Sequence, residues 1–216
     1  MNRLLLLLVL IPAIVLQSCS RDRGPRPGPV QPRVFSYVDE FVDDRGNWSF
    51  ADQANFAYGV VSNGSFKFDY NDDLSPAYYV SKRMGFNRSD DFTIYTRIGS
   101  NNNMGLLFGY NEATNSYGYS FMIDYDGYYA LYDEGGNGYG PDISELVQPA
   151  TAGFIHRDGD YNDLRLEQRG SRWLGFINDR LVFNIEAQRL KGTNVGFINV
   201  AFTQGEADYL EVQGYE

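Results

Sequence analysis

The side chains able to do chemistry in this 216-residue chain are mostly carboxylates and aromatics. It has 28 Asp plus Glu, 17 Tyr and 15 Phe, but one His and one Cys. Asp124 and Asp126 alternate along the chain and would share one side of a strand, the arrangement general acid/base work needs. Asp126-Gly127 also reads as a hairpin turn, which makes the pair structural. A nucleophilic triad would have to be built on His156, and Gly153-Phe154-Ile155-His156-Arg157-Asp158 offers no nucleophile elbow. Transition-metal chemistry lacks its imidazole and thiolate ligands. Calcium stays open, because Asp158, Asp160 and Asn162 set oxygens at alternate positions. An EF-hand is ruled out by Asp163 where glycine belongs and by Arg169 where glutamate belongs. Gly135 to Gly140 is glycine-rich, but no helix follows it, so it is expected to be a loop and not a phosphate cradle.

The aromatics carry a second kind of chemistry, stacking on the apolar side of a ring-shaped ligand. Tyr117, Tyr119, Tyr125, Tyr128, Tyr129, Tyr132 and Tyr139 fall in one 23-residue stretch, with Asn115 and Asn137 near its ends and Trp173 on a separate strand. Tyr also suits half-buried strands, so Tyr117, Tyr119, Phe121 and Ile123 read more naturally as one core-facing row. Tyr95 and Arg97 alternate with Phe92 and Ile94, and Arg165 and Glu167 alternate with Leu164 and Leu166. These polar residues line either a concave sheet or an ordinary solvent face. The candidate ligand-binding residues are Tyr95, Arg97, Tyr128, Tyr129, Arg165, Glu167 and Trp173. Asp158, Asp160 and Asn162 are the candidate calcium ligands.

The elements that would hold these residues are strands. Phe92–Ile98, Leu164–Arg169 and Leu181–Ile185 alternate with period 2, and Asn63-Gly64, Asp126-Gly127, Gly170-Ser171 and Asn178-Asp179 are turn pairs. The spacing predicts about 12 to 14 strands with no crossover helices, hence an all-β antiparallel sandwich; Glu186–Lys191 is the one place where a short helical turn is expected.

The N-terminus reads as an address. Met1-Asn2-Arg3 precedes 13 mostly apolar residues, Leu4 to Leu16, too few to span a bilayer. Leu16-Gln17-Ser18-Cys19 follows, and here the chain resembles a bacterial lipoprotein precursor. The resemblance implies a signal peptide over 1–18, a lipid on Cys19 and attachment to a membrane; Ser20 after the Cys points to the outer membrane. Residues 19–33 are rich in Pro, Gly and Arg and read as a spacer whose arginines could also meet anionic head groups. One domain, 34–216, remains. The chain carries 18 basic and 28 acidic residues, and the first 33 hold five and one of them. That leaves 13 and 27, a net charge of −14, which excludes nucleic acid as a partner.

A second resemblance covers most of 34–216. Asp91–Ile94, Met104–Tyr110, Tyr117–Asp124, Gly127–Tyr132, Asn162–Leu166, Trp173–Asp179, Leu181–Phe183, Val195–Ile198 and Asp208–Val212 follow one another as in a concanavalin A-like lectin/glucanase jelly roll. The resemblance implies that fold, a glycan ligand and, in many relatives, a structural calcium ion. Its glycosidases place Glu-x-Asp-x-x-Glu on one strand, and this chain has no such string; at Asp124-Tyr125-Asp126 the first residue is Asp and Tyr129 stands at the last position. Three readings follow. The first is a lipid-anchored, non-catalytic glycan-binding module of the cell envelope. The second is an envelope scaffold that binds protein through a flat apolar patch. The third is a divergent glycoside hydrolase using Asp124, Asp126 or Glu167.

Overall fold

The computed structural model describes residues 33–72, 75–114, 117–135 and 143–216. They form fifteen antiparallel strands and no α-helix. The strands are β1 (Arg33–Asp39), β2 (Phe50–Asp52), β3 (Ala57–Ser62), β4 (Ser65–Tyr70), β5 (Ala77–Arg83), β6 (Asp91–Ser100), β7 (Asn103–Tyr110), β8 (Tyr119–Asp124), β9 (Tyr128–Asp133), β10 (Ser144–Thr151), β11 (Asn162–Arg169), β12 (Arg172–Ile177), β13 (Arg180–Glu186), β14 (Asn194–Val200) and β15 (Thr203–Tyr215). That is one more than the upper expectation, since a pattern search passes over a strand as short as β2. The helical turn expected at Glu186–Lys191 does not form; the 3₁₀ turns are Gln53–Asn55 and Glu112–Thr114. Asn63-Gly64 joins β3 to β4 with φ of 56° and 78°, and Asn178-Asp179 joins β12 to β13 with φ of 49° and 62°, the positive pair that tight hairpins require.

Two sheets result. One runs β13-β12-β11-β6-β15-β4-β3-β2, with β1 also paired to β15; the other runs β10-β9-β8-β7-β14-β5. The 13-residue β15 organises the larger sheet. β6 pairs along nearly all of one edge, while β4 takes residues 203–207 and β1 takes 210–215 of the other. Between the sheets, alternation turns Phe92, Ile94 and Ile98, Leu164 and Leu166, and Trp173 and Ile177 toward Leu106, Phe108, Tyr119, Phe121 and Phe197. Aromatic edges meet faces across this core: Trp173 lies 5.1 Å from Phe108 and 4.7 Å from Tyr119, both near perpendicular. Each such pair adds about 0.5–1.5 kcal/mol to area burial alone. With no disulfide among the described residues, this core carries the fold.

One expected row is broken. Tyr119, Phe121 and Ile123 do face the core, but Tyr117 does not share their face. Gly118 has φ +70° and Gly109, opposite it, has φ +66°, and a register shift at Asn194/Val195 marks the same irregularity in the neighbouring strand. The kink sends Tyr117 to the outer face, where its ring centroid lies 5.0 Å from Tyr79 and 6.2 Å from Tyr110. No residue with a Cβ fits at Gly118, because a Cβ there would meet the Phe108 carbonyl oxygen at 2.5 Å.

Candidate functional site

The outer face of the six-stranded sheet is not an ordinary solvent face. Met122 on β8 opposes Ala130 on β9, and both turn outward beside Ile198 and Val200 of β14 and Ala77 of β5. Leu107, Met122 and Ile198 form a small buried cluster of their own on this side. Glycine makes room for it: a Cβ on Gly105 of β7 would strike Met122 Sδ at 2.2 Å. Above this floor opens a cavity of about 510 Å³, within the size range of small-ligand sites. Tyr128, 48% exposed, stands at its mouth with Pro76 and Ile143. Its polar groups are Asn103, Asp124 and Glu134.

Glu134 is the unusual one, with 3% of its surface exposed. Ser120 Oγ donates to its Oε1, and Tyr79 OH donates to its Oε2 at 3.1 Å. Burial pushes its carboxyl above the ordinary range, and these two hydrogen bonds offset only part of that. Tyr79 is raised in turn, by burial first and then by the Glu134 charge. Asp124 lies at the far end of the cavity, where its Oδ1 accepts from Tyr128 N at 2.7 Å and caps the β8–β9 turn. It lies four positions along β8 from Ser120, a span of about 14 Å at roughly 3.4 Å per residue. Paired glycosidase carboxyls stand about 5–9.5 Å apart. Glu134 and Asp124 are therefore two separate polar points in an apolar pocket.

The predicted ligand residues divide between the two sides of the sandwich. Tyr128 and Tyr129 line the cavity, although the Tyr129 hydroxyl reaches inward and donates to Val182 O at 3.2 Å. Tyr95, Arg97, Arg165 and Glu167 lie on the outer face of the other sheet and are engaged by neighbouring side chains there. The Arg165 guanidinium sits 3.6 Å over the Phe176 ring and 5.8 Å from Tyr95, and it pairs with Glu167, which also accepts from Arg169 Nε at 3.2 Å. Arg97 lies 5.2 Å over Tyr161 and 3.5 Å from Asp208. Trp173 is a correction. It is fully buried, with its Nε1 donating to Gln168 Oε1 at 2.9 Å, so no ligand can stack on it. Glu167 and the Asp124–Asp126 turn belong to opposite sheets, so Glu167 is no partner for either aspartate.

In the expected calcium loop, Asn162 has a structural role. Asn162 is buried, and its side chain staples the loop: Oδ1 accepts from His156 N at 2.9 Å and from Asn178 Nδ2 at 2.8 Å, while Nδ2 donates to His156 O at 2.9 Å and Asp160 O at 3.1 Å. Both lone-pair directions of its oxygen are used. Among the described residues no three acidic, His or Cys side chains converge. His156 itself is exposed, with Nδ1 against Tyr161 O. Cys19, Asn115, Asn137 and Tyr139 lie outside the described residues. Sequence reasoning passed over Glu134, Met122, Ala130 and Ile198; the available signal was that β7 and β14 are apolar on both faces.

No protein-family model matches this chain, and no curated protein matches it. Solved structures do. An endo-β-1,3-glucanase from Pyrococcus furiosus is similar over 86% of this chain and 96% of its own, at 10% identity and TM-score 0.50. A structure described as a native glycosidic hydrolase is similar over 84% and 95%, at 14% identity and TM-score 0.50. A carbohydrate-binding module from Bacillus subtilis covers 81% and 93%, at 14% identity and TM-score 0.47. The likeness is one of fold. It places the chain's two antiparallel sheets among jelly-roll β-sandwiches.

Proposed function

We propose that this chain is a lipid-anchored saccharide-binding module of the bacterial cell envelope, held through Cys19 and the 19–33 tether, on the outer membrane, and that it does not cleave its ligand. The observation that carries the reading is the lining of the cavity: an aliphatic floor at Met122, Ala130 and Ile198, a tyrosine at the mouth, and isolated hydrogen-bonding groups at Asn103, Asp124 and Glu134. A pyranose has the matching amphipathic form, a C–H face and a rim of hydroxyls, and recognition sites combine apolar walls with a few placed polar groups. The glucanase-like fold supports the same ligand class. The wide separation of Asp124 and Glu134 supports binding without hydrolysis. An indented face, in place of a flat apolar one, favours a small ligand over the scaffold reading.

The test is a glycan array probed with the purified chain. Ala130→Phe should fill the cavity and weaken binding at least about tenfold while leaving the circular dichroism spectrum unchanged; Tyr128→Ala should weaken it several-fold. Retention of full binding by Ala130→Phe, or no glycan bound at all, refutes the reading. Lipidation is checked by labelling cells with a palmitate analogue, which should mark the wild-type chain and not Cys19→Ser.

A further inference from the structure

We propose that the domain has a second saccharide site on the opposite sheet, a cleft walled by Lys67, Asp69, Tyr125, Tyr161, Gln204 and Glu206, so that one chain holds two glycan segments. This rests on the reading of the domain as a saccharide binder. The cleft has a volume of about 420 Å³ and lies at one end of the sandwich, where the turn after β8 and the loop before β11 fold over the outer face of β6, β15 and β4. The turn between β6 and β7 divides the two sites: Asn101 borders this cleft, and Asn103 borders the first cavity.

The cleft is built on close backbone contact. A Cβ on Gly99 would come within 2.7 Å of Gly159 O, so only glycine lets the 157–161 loop lie against β6. Gly159 itself has φ +82°. Tyr125, 40% exposed, offers a ring that is anchored on both sides, since its N donates to Asn102 O at 2.9 Å and its O accepts from Asp158 N at 3.0 Å. Tyr161 is held under Arg97 and donates its hydroxyl to Glu206, which also accepts from Ser65 Oγ. Two donors therefore fix that carboxylate at the wall.

The opposite wall is a cross-strand set. Asp69 of β4 faces Gln204 of β15, and Lys67 faces Glu206. The side chains of Lys67, Asp69 and Gln204 make no hydrogen bond among the described residues. They offer an ammonium donor, a carboxylate acceptor and an amide that does both, in neighbouring positions beside an aromatic face. Vicinal hydroxyls, each donor and acceptor, are the partners that use all three. A phosphorylated or sulfated ligand is disfavoured by Asp69, Asp158 and Glu206 against the single Lys67. An aliphatic one would leave those groups desolvated without partners. Enclosure by the cleft raises the Asp69 carboxyl, which fits a wall partly shielded from water, although Lys67 works against it. Two sites on one domain would join separate strands of a polysaccharide or grip one chain twice, and linkage of that kind multiplies retention without any new contact.

The experiment is amide-resolved NMR of the isotope-labelled chain, titrated with tetrasaccharides of β-1,3-glucose, β-1,4-glucose and β-1,4-N-acetylglucosamine. The expected result is shift changes at Ser120 and Ala130 and, separately, at Gly99 and Gly159. In Tyr125→Ala and in the isosteric Asp69→Asn, the Gly99 and Gly159 changes should be lost while those at Ser120 and Ala130 persist, and retention in a gel containing the matching polysaccharide should fall about tenfold or more. Changes confined to Ser120 and Ala130 overturn the second site and leave the first reading intact. No changes with any probe overturn both. Persistence of the Gly99 and Gly159 changes in both variants also overturns the second site.

Discussion

Asn162→Asp separates a structural amide from a calcium ligand with a change of one atom. In the native chain the Asn162 amide nitrogen donates to His156 O and Asp160 O, at 2.9 and 3.1 Å. The aspartate puts an oxygen there, facing two carbonyl oxygens. Two hydrogen bonds are lost at about 1 kcal/mol each, and the His156 and Asp160 carbonyls, on exposed residues, turn to water instead. The side chain is 3% exposed, so its new charge is poorly solvated as well. The sum is a loss of about 2–4 kcal/mol at neutral pH. For a domain of this size that is roughly a 4–16 °C fall in Tm. The acceptor side survives, because His156 N and Asn178 Nδ2 still have an oxygen to bind. The pH dependence has a definite sign. Burial raises the folded-state pKa of the new carboxyl above its unfolded value of about 3.9. Its stability contribution is therefore intact below that unfolded value and is lost as pH rises through the folded one, so the penalty shrinks toward pH 4. Urea unfolding followed by tryptophan fluorescence reads this directly, since Trp48 and Trp173 are both buried. The measurement is repeated with millimolar calcium. A loss below about 1 kcal/mol, or a variant rescued by calcium more than the wild type, would refute the hydrogen-bond account and restore the calcium loop.

Glu134→Gln should change the pH profile of stability. The native carboxyl titrates above its ordinary range, so its contribution is complete below the unfolded pKa of about 4.3 and declines as pH rises through the folded value, by at most about 1.4 kcal/mol per pH unit. The variant should lose that decline, and parallel Tm curves for the two proteins from pH 4 to 8 would contradict it. Trp173→Phe should cost about 2–3 kcal/mol, through lost ring volume and an unpaired Gln168 Oε1, with unchanged glycan affinity per folded molecule. Weaker affinity at wild-type stability would show that the indole reaches a ligand after all.

Much of the scaffold was legible because an antiparallel sandwich writes its faces into alternate residues. β6 and β11 carry a single apolar row each, and the Asn-Gly and Asn-Asp pairs mark the β3–β4 and β12–β13 hairpins through positive φ. The register of β12 was not legible in the same way. Trp173-Leu174-Gly175-Phe176-Ile177 is apolar on both sides, since outward-facing Phe176 is covered by the Arg165 guanidinium, so period 2 could not say which face holds the indole. Pairing decides it: Trp173 stands opposite Gln168 and both turn inward. Tyr117 was misplaced for a similar local reason, a glycine kink that interrupts the alternation at Gly118. The cavity was hidden for a different one. Its floor comes from β5, β8, β9 and β14, residues that lie far apart in the chain, and Met122 and Ile198 have the chemistry of core residues because they are buried, on the wrong side. The doubly apolar character of β7 and β14 was nonetheless in plain view. In a two-layer protein a strand can bury only one face against the other sheet. A strand apolar on both faces must therefore cover its second face locally or present it to a ligand, and here it does both: Leu107, Met122 and Ile198 seal the inner part of that face, and the remainder is the wall of the pocket.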